Sequence, residues 1–256
     1  AFRDRCLNWD LSLLSADRGL EPPPTVVRFG DHALRIAQTA RVYPTVTLDL
    51  ESGPIVIDEH AVIRPGAILI GPCYIGPHST VLEHATIRQS TSIGPWCKVN
   101  GEVGGTVFQG YSNKAHDGYL GDAYVGEWVN LGAGTTISNL LNTYGEVIAK
   151  PAQGSANERT GQQFLGPVIG DHVKTAICTR LMTGSIIHTG AMIASTAPAS
   201  GRIPPFAWIT DAGQRSYRSD KFREVMLAAM ARRKLEPSPA YLARIAELHT
   251  AQIASE

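Results

Sequence analysis

The chain has 256 residues, 43% hydrophobic and 18% charged, which is the make-up of a globular protein and not of a disordered or fibrous one. Its 23 basic and 23 acidic side chains cancel, so the charge predicts no nucleic-acid or membrane surface, and no apolar run approaches the ~20 residues of a membrane span. The four cysteines (Cys6, Cys73, Cys97 and Cys178) form no Cys-x-x-Cys pair, which argues against a zinc knuckle or disulfide framework and for reduced thiols in the cytoplasm.

The chain opens at Ala1 without an initiator Met or a signal peptide, and so reads as a processed chain or a part of a longer one. Residues 1–30 show no repeat, and Glu21-Pro22-Pro23-Pro24 predicts an extended linker. A period of six then begins. Ile36, Val42 and Leu48 open it, and Ile57, Ile63, Leu69, Ile75, Val81, Ile87, Ile93 and Val99 continue it. Four residues after the first seven of these come Ala61, Ala67, Cys73, Ser79, Ala85, Thr91 and Cys97, all small.

A helical stripe repeats at about 3.6 residues and a strand at about two. A period of six fits one flat face of a triangular prism: a short strand with its aliphatic pointing inward, then a corner where only a small side chain fits. Gly76, Gly94, Gly126, Gly132 and Gly170, with Pro65, Pro77 and Pro95, supply the corners. The expected fold is a parallel β-helix of hexapeptide repeats over 31–214.

The ladder resumes at Tyr119, Val125, Leu131 and Ile137, and again at Ile169, Thr175, Leu181, Ile187 and Ile193. The steps from Val99 to Tyr119 (20) and from Ile137 to Ile169 (32) are not multiples of six. Each predicts a loop leaving the prism, near 101–118 and 139–164, and long loops on a rigid scaffold often carry function. The tail 215–256 turns helical, from Lys221 to Lys234 and again after Ser238-Pro239, an N-cap followed by proline at the first helical position. Such helices would cap the solenoid or pack on a neighbour.

The densest polar stretch runs from Lys98 to Asn139. Its motif NKAHDGYLGDAYVGEWVNLGAGT at 113–135, with LGPVIGDHVKT at 165–175, resembles the acetyltransferase half of the bifunctional UDP-N-acetylglucosamine pyrophosphorylase/glucosamine-1-phosphate N-acetyltransferase family. More closely, it resembles a variant group of sugar nucleotidyltransferases carrying that half. The resemblance implies a left-handed β-helix and a homotrimer with sites between side-by-side prisms. It also implies acetyl-CoA as co-substrate, an amino-sugar 1-phosphate such as glucosamine 1-phosphate as acceptor, and no metal. The chain lacks the Gly-rich nucleotide-binding start of the uridylyltransferase half, which, where it exists, precedes Ala1.

Position by position, the resemblance implies His116 as catalytic base and Tyr119, Asn130 and Asn139 as substrate contacts. Arg64, in Arg-Pro-Gly-Ala, is the sugar-phosphate contact. Ala133 would contact acetyl-CoA, with Ser195 as a further contact. The sequence departs from the family where Asn139 is followed by Leu140 instead of tyrosine, and where the lysine before the histidine has no counterpart. Lys98 and Lys114 are the local cations able to hold a phosphate in its place. Gly132 and Gly134 permit close approach of the cofactor. An imidazole suits general-base work at neutral pH.

Other readings of the same residues remain open. His116 can be a loop histidine satisfied by backbone, Tyr119 a core residue, Asn130 and Asn139 turn residues, Gly132-Ala133-Gly134 a tight corner and Arg64 a corner residue. A zinc site would need three histidines, and none follows His116 closely. The competing function is a non-catalytic module that trimerises a nucleotidyltransferase or binds a sugar nucleotide.

Overall fold

The computed structural model describes residues 2–12 and 19–254. The aliphatic ladder winds into a parallel β-helix with three flat faces. Face one carries Val27–Phe29, Thr47–Asp49, Ile68–Ile70, Thr86–Ile87, Glu102–Gly104 and Tyr119–Gly121 in order. Face two is the longest, nine strands from Leu34–Ile36 to Arg202–Ile203. Face three holds five strands from Arg41–Val42 to Asn113–Lys114. A bridge from Asn113 through Asn130 to Lys174 carries it on to Lys174–Thr175, Met192–Ala194 and Ala207–Thr210. Among the described residues only two strand pairings are antiparallel, Gly213–Ser216 on Ala207–Thr210 and a small hairpin described below, with one antiparallel bridge between Leu140 and Phe164.

Each inward side chain stacks on its equivalent one coil away, about 4.8 Å along the axis. On face two the column is Ile36, Ile57, Ile75, Ile93, Phe108, Val125, Ile169, Ile187 and Ile203, all buried. Burying each such side chain contributes roughly 1.5–3 kcal/mol. The small inward corner residues do a second job when polar. Ser79 Oγ donates to Gly94 O at 2.7 Å and accepts from Cys97 N at 2.8 Å, and Ser112 Oγ ties Gly126 O to Val129 N at 2.7 and 2.9 Å. Each hydroxyl links successive coils where an alanine could not.

The expected loop near 101–118 does not exist. That stretch is three regular strands, Glu102–Gly104, Val107–Gly110 and Asn113–Lys114. The register fails because the faces shorten: Ile93 pairs with Phe108 and Val99 with Lys114, 15 residues on, and Val103 with Leu120, 17 on. Corners have lost residues without anything leaving the prism. A count of six back from Val125 lands on Tyr119, but the true step is five, so Leu120 is the buried inward residue and Tyr119 faces outward, half-buried. The second expected loop does leave the prism. Ile148–Ala149 and Glu158–Arg159 pair antiparallel within it, and its base is closed by Leu165 N donating to Asn139 O at 2.8 Å.

The edge between faces two and three is built from aromatic residues in the left-handed region: His60, His78, Trp96, Tyr111, Trp128, His172 and Phe206, with φ between 52° and 60°. Bulky side chains rarely adopt this conformation. Here several rings lie on the next, His60 on His78 at 4.7 Å, His78 on Trp96 at 4.2 Å and Tyr111 on Trp128 at 4.5 Å, so stacking offsets part of the backbone cost.

The helices cover two sides. Helix α1 (Phe2–Leu11) lies on face two through Leu7 against Val56 and Tyr74, with a short hydrogen bond from Ser92 to Asp10. Helix α2 (Ser219–Ala231) seats Phe222, Met226 and Met230 against Trp128, Phe206 and Tyr217, and helix α3 (Pro239–Ile253) packs Tyr241, Leu242, Ile245 and Leu248 on the same cluster. The Ser238 cap holds as expected, its side chain accepting from Tyr241 N. Strand Val27–Phe29 already belongs to the solenoid ahead of residue 31, and Gly213–Ser216 extends it past 214. Part of the segment 1–30, residues 1 and 13–18, lies outside the described residues. Face one, and its edge with face three, carry no helix among the described residues.

Candidate functional site

His116 sits on that bare edge, in the corner that follows strand Asn113–Lys114. Its side chain is exposed, and its imidazole makes no hydrogen bond among the described residues. What fixes it is the backbone. Lys114 occupies an inward slot, equivalent to Val81 and Val99, and is almost fully buried. Its ammonium donates to His116 O at 2.8 Å and to Asn100 O at 3.0 Å, pinning the corner to the coil before. Gly101 leaves the space: a Cβ there would lie 2.9 Å from Lys114 Nζ. Desolvation pushes this ammonium down to about 8. The expectation that Lys114 offers a surface charge to a phosphate is thereby corrected. Its chain runs inside the prism, and it positions the histidine corner.

One coil further along the same edge lies Gly132-Ala133-Gly134. Gly132 N donates to Thr175 Oγ1 at 2.9 Å, and a Cβ on Gly132 would strike Ala176 O at 2.4 Å, so the tight corner demands glycine. The Ala133 and Gly134 amides have no acceptor among the described residues and face the edge as free donors. Lys98 and Asn130 stand outward on face three, both exposed, two strands apart with Asn113 between them.

Tyr119 and Asn139 turn away from this edge. The Tyr119 ring folds along face one over Gly121, where a Cβ would come within 2.0 Å of its hydroxyl oxygen. That oxygen accepts from Asn139 Nδ2 at 3.0 Å; the same amide nitrogen donates to Asp122 Oδ2 at 2.8 Å, and Arg3 Nη1 of α1 meets Asp122 Oδ1 at 2.6 Å. Burial, then the Asp122 charge, raises the Tyr119 hydroxyl above its ordinary value. Tyr119 and Asn139 are thus brought together, with Asp122 and Arg3 as partners that the sequence did not announce. Asp122 closes Tyr-Leu-Gly-Asp, a visible signal. Arg3 lies 119 residues from it and left none.

Arg64 and Ser195 share the His116 edge, but at a distance. Each is three coils from His116, on opposite sides, or about 14 Å at the usual strand spacing. Arg64 is held by Glu83 at 2.7 Å and lies over the Tyr43 ring at 4.6 Å, so within one chain it is a corner residue. Ser195 Oγ donates to Ala197 O at 3.2 Å. A cleft of about 650 Å³ lies between α1 and the insertion and is lined by Arg3, Asp122, Tyr124 and residues 161–165, not by His116. Among the described residues no group of three or more His, Cys, Asp or Glu is placed to hold a metal, and no helix is long and apolar enough to cross a membrane.

No family model matches the chain. It is 34% identical over 147 residues to a bifunctional sugar-1-phosphate nucleotidylyltransferase/acetyltransferase of Sulfurisphaera tokodaii, a match covering 55% of this chain and 35% of that one. It is 35% identical over 111 residues to the bifunctional protein GlmU of Rippkaea orientalis, covering 43% and 22%. The chain is therefore related, over about half its length, to bifunctional sugar-1-phosphate nucleotidyltransferase/acetyltransferases, and spans about a third or less of those relatives. A Francisella novicida UDP-N-acetylglucosamine acyltransferase structure aligns over 88% of this chain and 77% of its own, at 14% identity and a TM-score of 0.32, a likeness too slight to bear on function.

Proposed function

We propose that this chain is a hexapeptide-repeat acyltransferase that moves the acetyl group of acetyl-CoA onto the amino group of an amino-sugar 1-phosphate, as part of a nucleotidyltransferase/acetyltransferase. The observation that carries the reading is the uncommitted His116 imidazole, held by a buried lysine on a bare edge with two free amides one coil away. In this reading His116 takes the proton of the amine as its nitrogen attacks the thioester carbonyl. The Ala133 or Gly134 N–H receives the oxyanion. Collapse breaks the C–S bond, and the departing thiolate takes the proton back from the imidazolium.

Lys98 and Asn130, outward on face three, are the groups this reading assigns to the acceptor. Acetyl-CoA, an extended molecule, would run down the edge toward Ser195. Tyr119, Asn139 and Arg64 lie too far round or along the prism to meet His116 in the same chain. They become available from a neighbouring prism packed on the uncovered face one, which is the ground for proposing a homotrimer. The cytoplasm is the compartment in which such substrates are met.

Thiol release from acetyl-CoA with glucosamine 1-phosphate tests the reading. Turnover is expected, falling by about 10²–10⁴ in His116→Ala. No turnover, or full turnover in the variant, sinks it, while activity only with a different amino sugar changes the acceptor alone. The second reading, a non-catalytic trimerisation or sugar-nucleotide-binding module, draws on the absence of any acceptor orienting the His116 ring among the described residues. It predicts no thiol release with any amino sugar.

A further inference from the structure

Across face three from His116, the Asn130 column meets the end of α2. A cleft of about 270 Å³ opens there, lined by Tyr111, Asn113, Trp128, Asn130, Lys174 and the pair Arg232–Arg233. Three cations face it. Among the described residues none of the three is in an ion pair.

The three differ in what else explains them. Arg233 fastens the end of α2, its Nη2 donating to Trp96 O at 3.2 Å and to Asn113 Oδ1 at 3.0 Å, but its Nε is buried with no partner. Lys174 has no such structural task. It is half-buried beside Asn130, and its ammonium makes no hydrogen bond among the described residues. Desolvation alone pushes it down to about 8. A desolvated ammonium with no counter-charge is a standing cost to the fold. An inward slot two coils away shows the contrast: Lys114, buried deeper, has two carbonyl partners.

We propose that this cleft is a phosphoryl-binding site, in which Lys174, Arg232 and Arg233 supply the charge and the Asn130 side chain a hydrogen bond. The space equals about nine water molecules' share of liquid volume, room for a phosphate or diphosphate group. The exposed guanidinium fork of Arg232 suits paired phosphate oxygens, Arg233 adds its charge from the end of α2, and Lys174 acts as a point charge. The phosphoryl group can come from a sugar phosphate, from coenzyme A or from free inorganic phosphate. The site does not depend on acetyl transfer, and His116 is not part of it.

Calorimetric titration of the chain with inorganic pyrophosphate, glucosamine 1-phosphate and coenzyme A, each at two salt concentrations, tests it. At least one should bind, more weakly at the higher salt. Lys174→Met should weaken that binding about tenfold or more, and Arg232→Ala should weaken it less. The ligand whose binding depends on Lys174 names the source.

Lys174→Met should also raise the melting temperature of the free protein, because it removes an unpaired desolvated charge at nearly constant volume, and this marks the variant as folded. Binding of none of the three ligands, or equal binding to the chain and to Lys174→Met, overturns the proposal. Thiol-release activity is read separately, so loss of this site and failure of the acetyltransfer reading give different results.

Discussion

Two edges of one prism carry histidines in opposite states. On the edge between faces two and three, His172 is buried in a column of rings, its Nε2 bonded to Tyr241 Oη at 2.6 Å under the C-terminal helices. On the edge between faces three and one, His116 is exposed, unbonded and uncovered by any described helix. The coil supplies the same kind of corner to both. What separates a packing histidine from a candidate base is the tail helices, which cover one edge and leave the other bare.

That contrast breaks first if His116 is not a base. His116→Ala is expected to cost about 10²–10⁴ in turnover, roughly 3–5 kcal/mol of barrier, with the melting temperature unchanged because the side chain packs on nothing. His172→Phe should do the reverse, leaving thiol release and altering stability.

The acid limb of the stability curve is the second test. Burial, then the Lys174 charge, pushes His172 down to about 3 from the ordinary 6.5. Between those values the unfolded chain holds the extra proton. Stability is therefore full above about pH 6.5 and is lost as pH falls toward 3, at up to about 1.4 kcal/mol per unit. Urea midpoints across pH 4–7 should slope in the parent and flatten in His172→Phe. An equal slope in both would assign the acid sensitivity elsewhere.

A third pair sharpens inward against outward. Leu120→Ala opens a cavity in the stacked core and should cost about 2–5 kcal/mol in denaturant unfolding. Tyr119→Phe, one residue earlier, loses only the hydrogen bond with Asn139, about 0.5–1.5 kcal/mol. If the two costs come out reversed, the solenoid register is wrong at this coil.

The smallest effect compares the two lysines on the alkaline side. Lys114 and Lys174 both sit near 8 when folded against 10.5 ordinarily, so the unfolded chain holds the extra protons between these values and stability rises with pH across that window. Buried Cys73 and Cys97, whose thiols are pushed up to about 12 by burial, oppose this from about pH 9, and buried Tyr74 and Tyr241, also pushed up by burial, oppose it above about pH 10. Melting temperatures should climb from about pH 8 to 9 in the parent and level off toward about pH 10, and Lys174→Met should climb less from about 8 to 9. Lys114→Met should also lose turnover, because the His116 and Asn100 carbonyls lose their shared donor.

The six-residue ladder was legible because stacking identical coils forces an aliphatic into every inward slot, and that demand is written in residue type. The insertion was legible too, since 32 residues cannot fit one face. The shortened coils were not. Between Val99 and Val125 the inward positions are Val103, Phe108, Lys114 and Leu120, at steps of 4, 5, 6, 6 and 5. A corner that loses a residue leaves no mark in composition, so the gap read as a loop, and Tyr119 took the slot that belongs to Leu120. Lys114 broke the apolar pattern and so looked like a surface charge. Only the prism shows that carbonyls of two coils and the space at Gly101 can house an ammonium there.

The candidate base, the Gly-Ala-Gly corner and the cap at Ser238 were all present in the sequence as local chemistry. The placement of Arg3 on Asp122, the separation of Arg64 and Ser195 from His116, the bare edge and the cationic cleft under α2 were decided by tertiary structure. Each depends on which residues of distant coils and helices come to lie side by side, and a pattern along the chain carries no record of that.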